Sequence, residues 1–222
     1  MRIIYETNGK GFLGWLVDLP GAYIRGRTVE EARSKIGQEI KAYESWLGIE
    51  TDCAKEYTKS IQECKLHVED ADTDILFDTE LADFEDPKDF EDWCTLISIS
   101  GTKADNIYKC CQYKDYVDPH MVRKTFYGDV YSTINRQFAH IIQVQNYYLA
   151  QIGTGIKIGN DLVSSRRDFV EKLKEKYLKE GNRLYQNEEE DWTTKKIVRR
   201  IIWHDRIHAK AIERIEQRRN IS

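Results

Sequence analysis

The chain has 222 residues, with 34 Lys or Arg against 38 Asp or Glu and a net charge of -4. That length allows one large domain or two modest ones with a sizeable core, and the mildly acidic balance excludes the electrostatic footprint of a nucleic-acid or anionic-lipid binder. Five cysteines (Cys53, Cys64, Cys94, Cys110 and Cys111), odd in number and without zinc-finger spacing, predict reduced thiols. With no basic-then-apolar leader and no bilayer-length apolar run, they predict a cytoplasmic protein.

In chain order, Arg2–Glu6 reads as a strand, Asn8-Gly9-Lys10-Gly11 as a turn and Phe12–Asp18 as a second strand. Leu19-Pro20-Gly21 bends the chain before a third strand over Ala22–Arg25. Thr28-Val29-Glu30-Glu31 has the capping-box pattern. The helix it opens carries Ala32, Ile36, Ile40, Tyr43 and Leu47 on one face, and Gly48 closes it. Cys64, Leu66 and Val68 alternate with polar residues, which predicts a fourth strand over about 61–68. Residues 69–92 hold twelve Asp or Glu and a single Lys. Such a run reads as a solvated linker or a negatively charged cover, and its spacing does not follow an EF-hand loop.

Beyond it the pattern is helical. Phe90, Trp93, Ile97, Ala104, Tyr108 and Cys111 mark a first amphipathic helix, ended by Asp118-Pro119. Asp129 can cap a second, running to about Ile152 before Gly153-Thr154-Gly155. Phe169, Leu173 and Tyr177 mark a third, closed by Gly181-Asn182. The fourth begins at Thr193 or Thr194. Four such helices without intervening strands predict a four-helix bundle. The fold class is therefore α+β: a small N-terminal sheet unit over 1–68, an acidic linker over 69–87, and a helical bundle over 88–222.

The most informative residues are His204 and His208. Ile197, Ile201, His204, His208, Ile212 and Ile215 follow steps of four and three, so the pair sits on an apolar seam. A buried imidazole needs a hydrogen-bond partner or a metal, because an unpaired buried polar group is costly. His140, midway along the second helix, is the natural third ligand for a site that keeps a position open. His67 and His120 read as ordinary surface or hydrogen-bonding histidines. A metalloprotease motif is rejected: Asp205 stands one methylene short of the required glutamate, and only fourteen residues follow His208. Asp205 and Glu213 are the nearest acids able to orient an imidazole, and surface charge is the favoured reading of both. Trp203, Tyr147 and Tyr148 are candidate pocket residues, against the plainer alternative of core packing. Cys110-Cys111 reads as packing rather than redox chemistry.

These residues carry two resemblances. Phe138-Ala139-His140, Tyr147-Tyr148-Leu149, Asp191-Trp192-Thr193 and Arg199 through His204 to His208 resemble the DinB superfamily, over about residues 88–219. That superfamily comprises metal-dependent four-helix bundles and includes thiol-dependent transferases of the YfiT type. The resemblance implies a divalent metal held by His140, His204 and His208. Gly11-Phe12-Leu13-Gly14-Trp15, Asp18-Leu19-Pro20-Gly21 and Arg25 through Ala32 resemble the HicB-like fold of antitoxins. No ribbon-helix-helix segment follows, so a repressor role is not implied.

Two functions are compatible with this. In the first, a three-histidine metal lowers the pKa of a water or thiol near neutral pH, for hydrolysis or for transfer of a low-molecular-weight thiol to a small electrophile. In the second, the HicB-like unit binds a protein partner through a sheet edge, and the bundle is a metal-stabilised scaffold without turnover. Imidazole ligands suit Zn, Ni, Fe and Cu alike. A homodimer paired through helix faces, no nucleic acid and no membrane complete the expectations. No residue is singled out as general acid or base.

Overall fold

The computed structural model describes residues 1–51 and 58–220, so Cys53 lies outside the described residues. The chain divides into two compact units, one over Met1–Ile75 and one from Leu76 onward. Among the described residues no helix is long and apolar enough to cross a membrane. The four described cysteines are free thiols.

In the first unit β1 (Arg2–Thr7), β2 (Phe12–Leu16), β3 (Tyr23–Gly26) and β4 (Thr58–Glu63) form one sheet in the order β3-β2-β1-β4. β2 is antiparallel to β1 and β3, while β4 runs parallel to β1, with Tyr5 opposite Ile61. Ile3, Tyr5, Leu16 and Ile24 pack with Ala32, Ile36 and Tyr43 of the helices into one apolar core. The opposite side of the central strands is buried as well: Ile4, Glu6, Leu13 and Trp15 are each at most 1 % exposed. There the Glu6 carboxylate accepts from Trp15 Nε1 at 2.7 Å and from the Thr73 hydroxyl, so the buried charge is hydrogen-bonded. Gly14 is required in β2, since a Cβ there would lie 2.8 Å from both Ile24 and the Tyr5 ring.

The helix after Thr28 is interrupted. α1 (Val29–Ser34) and α2 (Ile36–Leu47) are separate helices, because the Lys35 N–H turns back to the carbonyls of Ala32 and Arg33. Thr28 caps α1 as its sequence predicts, but the Glu31 carboxylate accepts from the Arg27 N–H rather than from that of Thr28. Gly48 ends α2 at φ 77°. The fourth strand lies earlier than its apolar alternation suggested. β4 is a polar edge strand, and Val68 is buried in a 3-10 turn over Val68–Asp70.

The second unit is built on α4 (Pro87–Cys110), α5 (Ile134–Ala150), α6 (Leu162–Glu180) and α7 (Thr194–Arg219), with one short helix, α3 (Asp78–Leu81), before them. α7 and α6 each pack against both α4 and α5. Side-chain oxygens of Asp86, Thr133, Asp161 and Thr193 cap the four long helices, each accepting a first-turn N–H. Asp129 is not the cap of α5. It pairs with Lys124 across the hairpin of β5 (Lys124–Thr125) and β6 (Gly128–Asp129), which holds it extended and away from any helical turn. Nor does Asp118-Pro119 end α4, which stops at Cys110. The Asp118 carboxylate is instead fully buried against Arg218.

The acidic segment is only partly solvated. Thr73, Ile75, Phe77 and Glu80 are buried, and Glu80 pairs with Arg199 at 2.5 and 3.0 Å while the Arg199 guanidinium lies 4.0 Å from the centre of the Phe77 ring. Burying a carboxylate is tolerable only with such a partner, and the partner lies more than a hundred residues away in sequence.

Candidate metal centre

The phase of two helices builds the site. Thr193 fixes where α7 begins, and the i,i+4 spacing then stacks His204 and His208 on one face. Thr133 does the same for α5, whose second turn carries His140. α5 and α7 pack together, and one ligand nitrogen from each of the three histidines lies within 4.8 Å of the others. Ring centroids stand 4.7 Å apart for His140 and His204, 4.8 Å for His140 and His208, and 4.3 Å for His204 and His208. Among the described residues this is the one group of three or more His, Cys, Asp or Glu able to hold a metal ion. His67 sits beside Glu69 and His120 in a 3-10 turn over Pro119–Met121, so neither joins it.

His204 is buried, and neither of its ring nitrogens has a hydrogen-bond partner among the described residues. His208 directs Nδ1 at the Gln137 side-chain oxygen, 2.5 Å away. Burial holds all three imidazoles neutral. It pulls His140 down to about 4 and, joined by repulsion from His140, pulls His208 down to about 3. His204 is lowered well below its ordinary value, first by burial and then by the neighbouring histidines. Neutral imidazole is the form that ligates a metal. The orphaned nitrogens of His204, its two converging neighbours and their neutrality all fit a divalent transition metal.

Of the candidate pocket residues, Tyr148 meets the cluster, its ring edge-on to His204 at 6.2 Å. It is buried, and burial raises its pKa. Tyr147 is half exposed and packs edge-on against Trp192, while Trp203 packs beneath the Arg200 guanidinium. Two further residues border the cluster that sequence patterns did not single out. Tyr131 lies 4.7 Å from His140 and 6.4 Å from His208, ring to ring, and buried Gln137 sits one turn before His140. Tyr131 lies in an irregular segment with no periodicity to flag it. Gln137 had one available signal, a polar residue at i-3 from a ligand on the same face.

Asp205 is not a surface charge. It is 1 % exposed and forms a fork-to-fork pair with Arg166, at 2.5 and 2.9 Å. Arg166 also donates to Gln145 Oε1 at 2.8 Å and to the Ile97 carbonyl, which ties α6 to α4, α5 and α7. Gly101 makes room for it, since a Cβ there would crowd the Arg166 side chain at 3.1 Å. Glu213 is exposed, as expected. Cys111 is buried in the apolar core with Ile134, Phe138 and Ile212, and Cys110 is exposed.

Fold and site together define a mixed α+β protein whose helical unit holds a three-histidine cluster, His204 buried and His140 and His208 partly so. Compared with known family models, with curated proteins and with solved structures, the chain matches none.

Proposed function

We propose that the chain is a divalent-metal-dependent enzyme of the DinB/YfiT type, with His140, His204 and His208 as ligands and a small molecule as substrate. The observation that carries this is the convergence of three neutral imidazoles, one of them buried with both nitrogens unpartnered. A protein core does not keep such a group at no cost; its unmet hydrogen-bonding capacity amounts to roughly 1–3 kcal/mol. A bound divalent ion would supply Lewis-acid chemistry, making a thiol or water more acidic at neutral pH. The chain's own residues hold the three rings neutral and converged, with Tyr148 beside His204 and Tyr131 beside His140 and His208. The substrate class we favour is a low-molecular-weight thiol together with a small electrophile, by resemblance to the YfiT-type transferases, with hydrolysis as the alternative use of the same centre. Zn, Ni or Fe suits this ligand set. In the same proposal the four long helices form a DinB-like bundle over 88–222, and the N-terminal unit over 1–68 is HicB-like.

The test is elemental analysis of the purified protein beside the His204→Ala/His208→Ala double variant, followed by assays of thiol transfer and hydrolysis. About one equivalent of a transition metal, lost in the variant, is the expected result. A metal-free wild type that stays metal-free on loading refutes the proposal.

One observation favours the second function as well. β4 is an edge strand whose residues 59–63 are all exposed, and Ile61 is 48 % exposed. A strand at the edge of a sheet can add a strand from a protein partner. Binding without turnover predicts full metal occupancy and no reaction with any thiol or electrophile.

A further inference from the structure

We propose that Gln137 is a positioning residue: it fixes His208 as the tautomer protonated on Nδ1, so that the nitrogen offered to the cluster is Nε2. The inference rests on the metal-binding reading for what His208 then ligates, but the hydrogen bonds that carry it stand without a metal.

Gln137 is 2 % exposed, and both ends of its amide are engaged. Its Nε2 donates to the Tyr131 backbone carbonyl at 2.5 Å, and its Oε1 lies 2.5 Å from His208 Nδ1. A backbone carbonyl has lone pairs and no proton, so it decides which way the amide faces. The reverse orientation would press two acceptor oxygens together. With the NH2 group turned to Tyr131, the oxygen that remains can only accept, so Nδ1 of His208 must be the donor. A neutral imidazole carries a single N–H, and Nε2 is thereby left with its lone pair free.

The same link registers the site. Tyr131 gives its carbonyl to Gln137 and lays its ring against His140, so one amide ties the segment before α5 to ligands on both helices. Metal-bound histidines commonly donate their second N–H to an acceptor of this kind, and losing the acceptor costs about 10–100-fold in metal affinity.

The test uses the full chain stripped of metal. Long-range proton–nitrogen NMR of the histidine rings reads the tautomer, and titration with Co(II) chloride against a competing chelator reads affinity. Wild type is expected to show His208 protonated on Nδ1. Gln137→Met keeps the volume and removes the acceptor; His208 should become a tautomer mixture and Co(II) affinity should fall by about 10–100-fold. Gln137→Glu keeps an acceptor for His208 but sets its second oxygen against the Tyr131 carbonyl, so it should retain the Nδ1–H tautomer and recover only part of the affinity. His208 protonated on Nε2 in wild type would overturn the proposal. So would a His208 tautomer left unchanged by Gln137→Met, which indicates only a structural role for the amide. If wild type takes up no Co(II), the metal-binding reading fails, and the tautomer spectra alone decide whether Gln137 holds His208.

Discussion

His204 and Asp205 are adjacent in sequence and both buried, yet their surroundings are opposites. Asp205 is met by a guanidinium that is itself bonded to Gln145 and the Ile97 carbonyl. His204 is ringed by two further imidazoles and the edge of a tyrosine, and its nitrogens find no partner among the described residues. One side chain has its partners within the fold; the other has a geometry that makes sense once something is added. A buried polar group that is complete belongs to folding, and one left incomplete in company with others of its kind points to a ligand.

Breaking the complete half should have the largest effect. Asp205→Ala strands the Arg166 guanidinium in the core and should cost about 3–5 kcal/mol in urea unfolding, with or without metal. The incomplete half should respond with the opposite sign in metal-free protein. His204→Leu removes unpartnered polar atoms and should leave apoprotein stability unchanged or raised by about 1 kcal/mol, while abolishing the stabilisation by added Zn(II) that the proposal predicts for wild type. A large loss of apoprotein stability in His204→Leu would erase the contrast.

Acid sharpens it further. His140 and His208 sit at about 4 and 3 in the folded protein and near 6.5 when unfolded. Below pH about 6.5 the unfolded chain takes up protons that the folded site refuses, so acidification favours unfolding. This share of the stability is fully present above about 6.5 and is lost as pH falls toward 3–4. Metal-free wild type should therefore lose more Tm between pH 7 and pH 5 than His140→Leu/His208→Leu. Equal slopes would show the imidazoles to be solvated rather than buried. The smallest effect belongs to Glu213→Ala: exposed, it should change unfolding free energy by less than about 0.5 kcal/mol.

What could be read from sequence follows the range of the interactions involved. Thr28, Gly48, Gly181 and Thr193 act within one turn of themselves: the two threonines begin helices and the two glycines end them where local chemistry says they should. The i,i+4 spacing of His204 and His208, with His140 on another amphipathic helix, made their convergence legible. Long-range partners were not. Asp205 and Glu213 look alike in sequence, and only Arg166, 39 residues from Asp205, separates them. Glu80 sits within an acidic run that reads as solvated until Arg199 closes on it. β4 escaped its prediction because an exposed edge strand has no buried face to impose an apolar alternation, and Asp129 failed as a cap because the hairpin pairing to Lys124 holds its backbone extended. Gln137 carries no motif at all, since its role depends on a carbonyl six residues before it and an imidazole on another helix.

The central claim is that His140, His204 and His208 together ligate one metal ion. X-ray absorption spectroscopy of the zinc-loaded full chain tests it most directly. Three imidazole ligands at about 2.0–2.1 Å, falling to two in His140→Leu, are the predicted result. A sulfur shell at about 2.3 Å, or an imidazole count unchanged by that substitution, would contradict it.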